Sequence, residues 1–112
     1  MAPNMLVIGS DGNVWFPEPQ TSIVRMSPTG SRSYFPIGVS TYQGGLSDMA
    51  LGPDGNIWFA PDRTSRIGRI TPAGDVSSFA LPDGVRPQRI AAGPDGNLWL
   101  ALEDGRVARV SL

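Results

Sequence analysis

Cysteine, histidine and lysine are all missing from this sequence of 112 residues. Without cysteine there is no disulfide framework and no thiol chemistry, and the redox compartment is left open. Without histidine the chain lacks the commonest general base and the commonest metal ligand. Every one of its nine cations is arginine, and the formal net charge is only −1. So small a charge gives no long-range field for nucleic acid or an anionic membrane. No apolar run approaches the length of a membrane span. Met1-Ala2-Pro3-Asn4 shows no basic stretch leading into an apolar one, and no asparagine sits in a glycosylation sequon. The expectation is a soluble, cytoplasmic chain with neither a nucleic-acid nor a membrane partner.

Glycine and proline are abundant instead, 14 and 11 residues. Scattered, they would suggest disorder; here they fall at fixed phases of a repeat. Gly52-Pro53-Asp54-Gly55-Asn56-Ile57-Trp58-Phe59 returns as Gly93-Pro94-Asp95-Gly96-Asn97-Leu98-Trp99-Leu100. It also occurs earlier, with Ser10 in place of proline, as Gly9-Ser10-Asp11-Gly12-Asn13-Val14-Trp15-Phe16. The spacing is 43 residues from Gly12 to Gly55 and 41 from Gly55 to Gly96. Such a period marks an architecture in which each unit buries its apolar faces against its neighbours.

The middle repeat shows the plan. Leu46 to Leu51 is a short, largely apolar run, and Pro53-Asp54-Gly55 supplies a tight turn. Ile57 to Ala60 is β-branched and aromatic with two apolar faces, which fits a strand covered on both sides. Arg66 to Thr71, a Pro72-Ala73-Gly74 turn, and Val76 to Leu81 complete four strands, the last one more polar and outermost. The first repeat predicts strands at Met5–Ile8, Val14–Phe16, Ile23–Ser27 and Arg32–Ile37. The third predicts Gln88–Ala92, Leu98–Leu102 and Arg106–Ser111, with no fourth strand. Proline or glycine interrupts every candidate helix. The expected fold is all-β: four-stranded antiparallel propeller blades at 4–40, 45–84 and 87–112, about 2.7 blades in one domain spanning 1–112.

Two of these segments, Gly93-Pro94-Asp95-Gly96-Asn97-Leu98-Trp99 and Ile67-Gly68-Arg69-Ile70-Thr71-Pro72-Ala73-Gly74, resemble the virginiamycin B lyase (streptogramin lyase) family. Repeats of that family read G-P-D-G-N-L-W-F-T-E…I-G-R-I-T-P-x-G, and NHL-type blades share the period but less of the wording. The resemblance implies a β-propeller, seven-bladed in the lyase itself. It also implies a catalytic histidine and a magnesium ion near the channel mouth, with a glutamate close by. Glu18 occupies the glutamate slot of the W-F-T-E motif; the other repeats place Pro61 and Leu102 there.

The candidate ligand-binding residues are Glu18, Asp48, Gln88, Arg89 and Glu103, all toward the strand ends opposite the Asp-Gly-Asn turns. Asp48 and Arg89 are at equivalent positions on first strands, which line the channel of a propeller, and they could meet a ligand or pair with each other or with a partner subunit. Glu18, Glu103 and Asp104 offer too few donors for an oxygen-ligand cation site. Arg25, Arg69 and Arg109 share one phase and are expected to bond a neighbouring blade's carbonyls or one of Asp11, Asp54 and Asp95. The tryptophans are expected between blades. No catalytic or metal residue is assigned, and no cofactor is expected. Fewer than three complete blades cannot close a ring of the usual four to eight. The expected partner is therefore the chain itself, a dimer giving six blades. With histidine absent, a non-enzymatic propeller scaffold is the expected function. The alternative is a metal-assisted lyase on a cyclic depsipeptide, in which magnesium would be the cofactor.

Overall fold

The computed structural model describes residues 6–18, 22–36, 46–61 and 64–111. They form three antiparallel sheets in chain order, matching the all-β blade architecture read from the sequence. The first sheet holds β1 (Val7–Ile8), β2 (Val14–Glu18), β3 (Ser22–Met26) and β4 (Arg32–Pro36), each beside the next. The second repeats this order with β5 (Leu46–Leu51), β6 (Ile57–Pro61), β7 (Arg66–Ile70) and β8 (Val76–Ala80). The third has β9 (Pro87–Ala92), β10 (Leu98–Leu102) and β11 (Val107–Val110), with β10 in the middle. These are the blades of an incomplete propeller, and they do not close into a barrel. Among the described residues no helix is long and apolar enough to cross a membrane.

Strand limits differ from the sequence reading by a residue or two. β2 runs on to Glu18 because Pro17 and Glu18 still pair with Ile23 and Ser22. Arg106 drops out of β11 because its carbonyl accepts from the Leu102 N–H, closing a turn. Met5 and Ile37 lie outside the described residues.

Two apolar seams join the sheets. Trp15 and Ile23 of the first sheet pack on Met49, Ile57, Phe59 and Ile70 of the second, with Phe35 and Leu51 at the border. Trp58, Ala60 and Ile67 of the second pack in the same way on Ile90, Leu98, Leu100 and Leu102 of the third. Each sheet thus turns its tryptophan toward the next sheet and receives the preceding one on its other face. β6, between two seams, is buried at every position, whereas β10 alternates buried and exposed because only one of its faces is covered.

The repeated octapeptide is a self-contained device. The Gly55 N–H donates to the Gly52 carbonyl and the Gly52 N–H to the Asn56 carbonyl, closing a turn with Gly55 at φ +85°. That left-handed backbone favours glycine. The Asp54 carboxylate accepts from the Asn56 backbone and side chain, and from the Trp58 indole Nε1 at 3.0 Å. The indole lies so close over Gly52 that a Cβ there would fall 2.4 Å from its ring. Asp11 and Asp95 hold Trp15 and Trp99 in the same way, at 3.3 and 3.1 Å. One carboxylate therefore fixes both the turn and the tryptophan of each seam.

These hydrogen bonds show in the acidities. Burial pushes the Asp11 and Asp54 carboxyls up, but the bonds from asparagine and tryptophan outweigh it, and both sit below the ordinary value of 3.8. Asp95 is also lowered, chiefly by the Trp99 indole.

Candidate functional site at the variable strand ends

At the opposite ends of the strands the repeat varies, and every sequence-predicted site residue lies there. Glu18 closes β2 opposite Ser22. Asp48 is near the start of β5, Gln88 and Arg89 near the start of β9, and Glu103 directly follows β10. Because the strands are antiparallel, the end of a second strand and the start of a first strand lie at the same edge of the blades.

Two irregularities shape this edge. Pairing of β5 with β6 shifts between Leu46 and Asp48, and pairing of β9 with β10 shifts between Ala101 and Leu102. The residues skipped by the register are Ser47 and Gln88, at the same phase of the repeat. A bulge bends its strand and re-aims the neighbouring side chains. Here it leaves Gln88 and Arg89 exposed, while Pro87 and Ile90 on either side are buried.

Asp48 does not pair with Arg89. Its Oδ2 accepts from the Ile90 backbone N–H at 2.9 Å, so the carboxylate of one innermost strand holds the innermost strand of the next blade. This bond was not foreseen; its only sequence signal is a lone acid in an otherwise apolar first strand. Glu103 is exposed, and its backbone N–H donates to the Arg86 carbonyl at 3.0 Å, tying the β10–β11 turn to the segment entering β9. Its neighbour Asp104 is occupied by Arg106, at 2.7 Å from Nε. The Arg106 backbone bond is the largest of the interactions that hold the Asp104 carboxyl below its ordinary value. Among the described residues the edge therefore presents Arg89, Gln88 and Glu103 exposed, backed by Asp48, an acid with a structural task.

The donor set does not fit the magnesium ion implied by the resemblance. Among the described residues no three acidic side chains gather at one point. Asp11, Asp54 and Asp95 are engaged in the turns at the other end, and Asp48 holds Ile90. No chemical step is routed through a metal here.

Two of the three repeated arginines make the expected contacts, whereas the buried Nε of Arg69 finds no hydrogen-bond partner among the described residues. Arg25 donates to the Pro72 carbonyl of the next blade at 2.6 Å, and Arg109 lies 3.7 Å from Asp95. Arg25 stands over the Trp15 and Phe35 rings, which stack on each other, and Arg69 stands over the stacked Trp58 and Phe79. Such contacts contribute about 0.5–1 kcal/mol each where partly exposed.

The sequence model described as the Virginiamycin B lyase family matches residues 1–112. The chain belongs to the virginiamycin B lyase family. Solved structures agree. Virginiamycin B lyase from Staphylococcus aureus is 26% identical with a TM-score of 0.77, the alignment covering 98% of this chain and 41% of that one. A catalytically inactive histidine-to-alanine variant of the same lyase, solved with quinupristin, is 27% identical, again with a TM-score of 0.77, over 96% of this chain and 40% of that one. A streptogramin B lyase is 28% identical with a TM-score of 0.73, over 98% and 40%. This chain thus spans about two fifths of the length of the lyases it matches. A search of curated protein sequences returned no match.

Membership in a lyase family corrects the sequence expectation, which leaned against an enzyme. That expectation weighed the missing histidine as if these residues had to carry a whole active site. A propeller assembles its site from several blades around one channel, so three blades can belong to a catalytic fold without each type of catalytic group.

Proposed function

We propose that this chain serves a lyase acting on a cyclic depsipeptide of the streptogramin type, its variable edge forming part of the substrate-binding mouth. The observation that supports this is the family match over residues 1–112, joined to a structural likeness to a lyase solved with quinupristin. In this reading residues 1–112 act as one unit, with blades at 4–40, 45–84 and 87–112. Gln88 and Arg89, raised by the bulge, hydrogen-bond ring carbonyls of the peptide. Glu103 lies beside them on the third blade, Glu18 ends the matching strand of the first, and Asp48 keeps β9 in place. The general base comes from outside these residues, since no histidine is among them. In this reading the chain also self-associates as a dimer.

The test is binding of quinupristin, followed calorimetrically. The chain is expected to bind it, and Arg89→Ala or Gln88→Ala is expected to weaken binding about tenfold, the loss of one good hydrogen bond. No binding, or variants that bind like the parent, would overturn the assignment. Chromatography on the same samples separates the reaction types: elimination opens the ring without change of mass, while hydrolysis adds a water. Ring opening by these residues alone, abolished in Glu18→Ala, would move the base to Glu18.

A further inference from the structure

Asp11, Asp54, Asp83, Asp95 and Asp104 are each followed directly by glycine. Glycine has no Cβ, so its backbone nitrogen is unusually free to approach the preceding carboxyl. Four of these pairs are held on both sides. The N–H groups of Gly12, Gly55, Gly96 and Gly105 donate to the carbonyls of Gly9, Gly52, Gly93 and Leu102. The carboxylates of Asp11, Asp54 and Asp95 accept from the asparagine and the tryptophan that follow them in the repeat. Asp104 accepts from the backbone and the side chain of Arg106. All four carboxyls sit below the ordinary value of 3.8 and are kept in the ionised form.

Asp83-Gly84 is built differently, although Pro82-Asp83-Gly84 repeats the wording of Pro53-Asp54-Gly55 and Pro94-Asp95-Gly96. Its turn closes one residue later: the Val85 N–H donates to the Pro82 carbonyl at 3.0 Å, and Gly84 takes φ +83°. Val85 is half-buried against the second seam, which fixes that phase. Where the blade turns have asparagine and tryptophan, this segment has Val85 and Pro87. Among the described residues neither the Asp83 carboxylate nor the Gly84 N–H has a hydrogen-bond partner, and both residues are exposed. We propose that Asp83-Gly84 is a site of spontaneous backbone modification, the one Asp-Gly pair of this chain that isomerises to isoaspartate in the folded state. The Gly84 nitrogen attacks Cγ of the protonated Asp83 carboxyl. The N–Cγ bond forms, the amide proton is lost and the Cγ–OH bond breaks, so that one water leaves and a cyclic succinimide remains. Water then reopens the ring. Cleavage of the N–Cγ bond restores aspartate; cleavage between the nitrogen and the main-chain carbonyl carbon leaves the chain running through Cγ, one methylene longer. That methylene falls in the segment entering β9, just ahead of the Arg86 carbonyl that holds the Glu103 N–H.

The test is prolonged warm incubation of the folded chain at mildly acidic pH. Cleavage after arginine and fragmentation mass spectrometry then tell isoaspartate from aspartate at each position. Isoaspartate is expected first at position 83, about tenfold above each other pair, because no hydrogen bond has to open there beforehand. The succinimide is expected as the same peptide one water lighter. In urea, where the turns are lost, all the Asp-Gly pairs are expected to react alike. Asp83→Glu, whose longer side chain must close a larger ring, is expected to silence position 83 and leave the other pairs unchanged. Another pair reacting first in the folded chain, all pairs reacting alike there, or no isoaspartate at 83 would overturn the proposal. An excess at 83 that persists in urea would assign the selectivity to neighbouring sequence instead of the fold, and would overturn it as well.

Discussion

Trp58 and Trp99 share a sequence motif, a turn, a carboxylate partner and a strand position, yet one is buried between two sheets and the other faces out. The difference teaches that the motif builds each blade from within and does not depend on a neighbour being present. Asp95 orients the Trp99 indole although no further sheet among the described residues packs on it. What a neighbour adds is desolvation of a surface already arranged. The blade is thus the unit of local structure and the seam the unit of stability, as in other repeat architectures.

The strongest way to break this comparison is truncation at both sites. Trp58→Ala is expected to cost about 3–5 kcal/mol, the range for a large buried aromatic. Trp99→Ala is expected to cost about two thirds of that, since 37% of the residue is already exposed. Urea unfolding of both variants decides it, and equal losses would show that the face around Trp99 is covered even in the single chain.

A smaller effect sharpens the comparison across strands. Phe59 lies opposite Gly68, so closely that a Cβ on Gly68 would fall 2.0 Å from the ring; in the third blade Leu100 lies opposite Ala108. Gly68→Ala is expected to cost about 1–3 kcal/mol through overpacking. Adding Phe59→Leu is expected to recover part of that loss by reproducing the third blade's pair. A double variant less stable than Gly68→Ala alone would show that the two blades do not pack interchangeably.

The smallest effects concern the turn carboxylates. Asp54→Ala is expected to cost about 1 kcal/mol, given its solvent exposure. Asp11, Asp54 and Asp95 are all lowered relative to 3.8 in the folded chain, so folding favours their ionised forms. Their contribution is complete above the unfolded value and is lost as pH falls through the lower folded values. Unfolding midpoints followed from pH 5 downward are expected to drop, less steeply in Asp54→Ala. Identical slopes would remove the carboxylate from the account of the turn.

The turns and strands were legible because they depend on local chemistry. Pro53-Asp54-Gly55 and Pro72-Ala73-Gly74 specify their own geometry, and the two-faced apolar run at Ile57 announced a strand covered on both sides. The Asp54–Trp58 bond was hidden, although the fixed spacing of four residues in three repeats carried it. The bulges at Ser47 and Gln88 could not be read, because register belongs to a pair of strands and not to one. Asp48 bonding Ile90 depends on how two blades meet, which no stretch of either encodes alone. The candidate residues were collected at one edge by repeat phase, and which of them meet depends on how the blades are set around one another.

The most direct measurement of the claim that each blade arranges its own tryptophan is acrylamide quenching of variants that keep a single tryptophan. Trp99 is expected to be quenched more readily than Trp15 or Trp58, and Asp95→Ala is expected to change the Trp99 emission. Equal quenching of the three, or a Trp99 emission indifferent to Asp95→Ala, would contradict the claim.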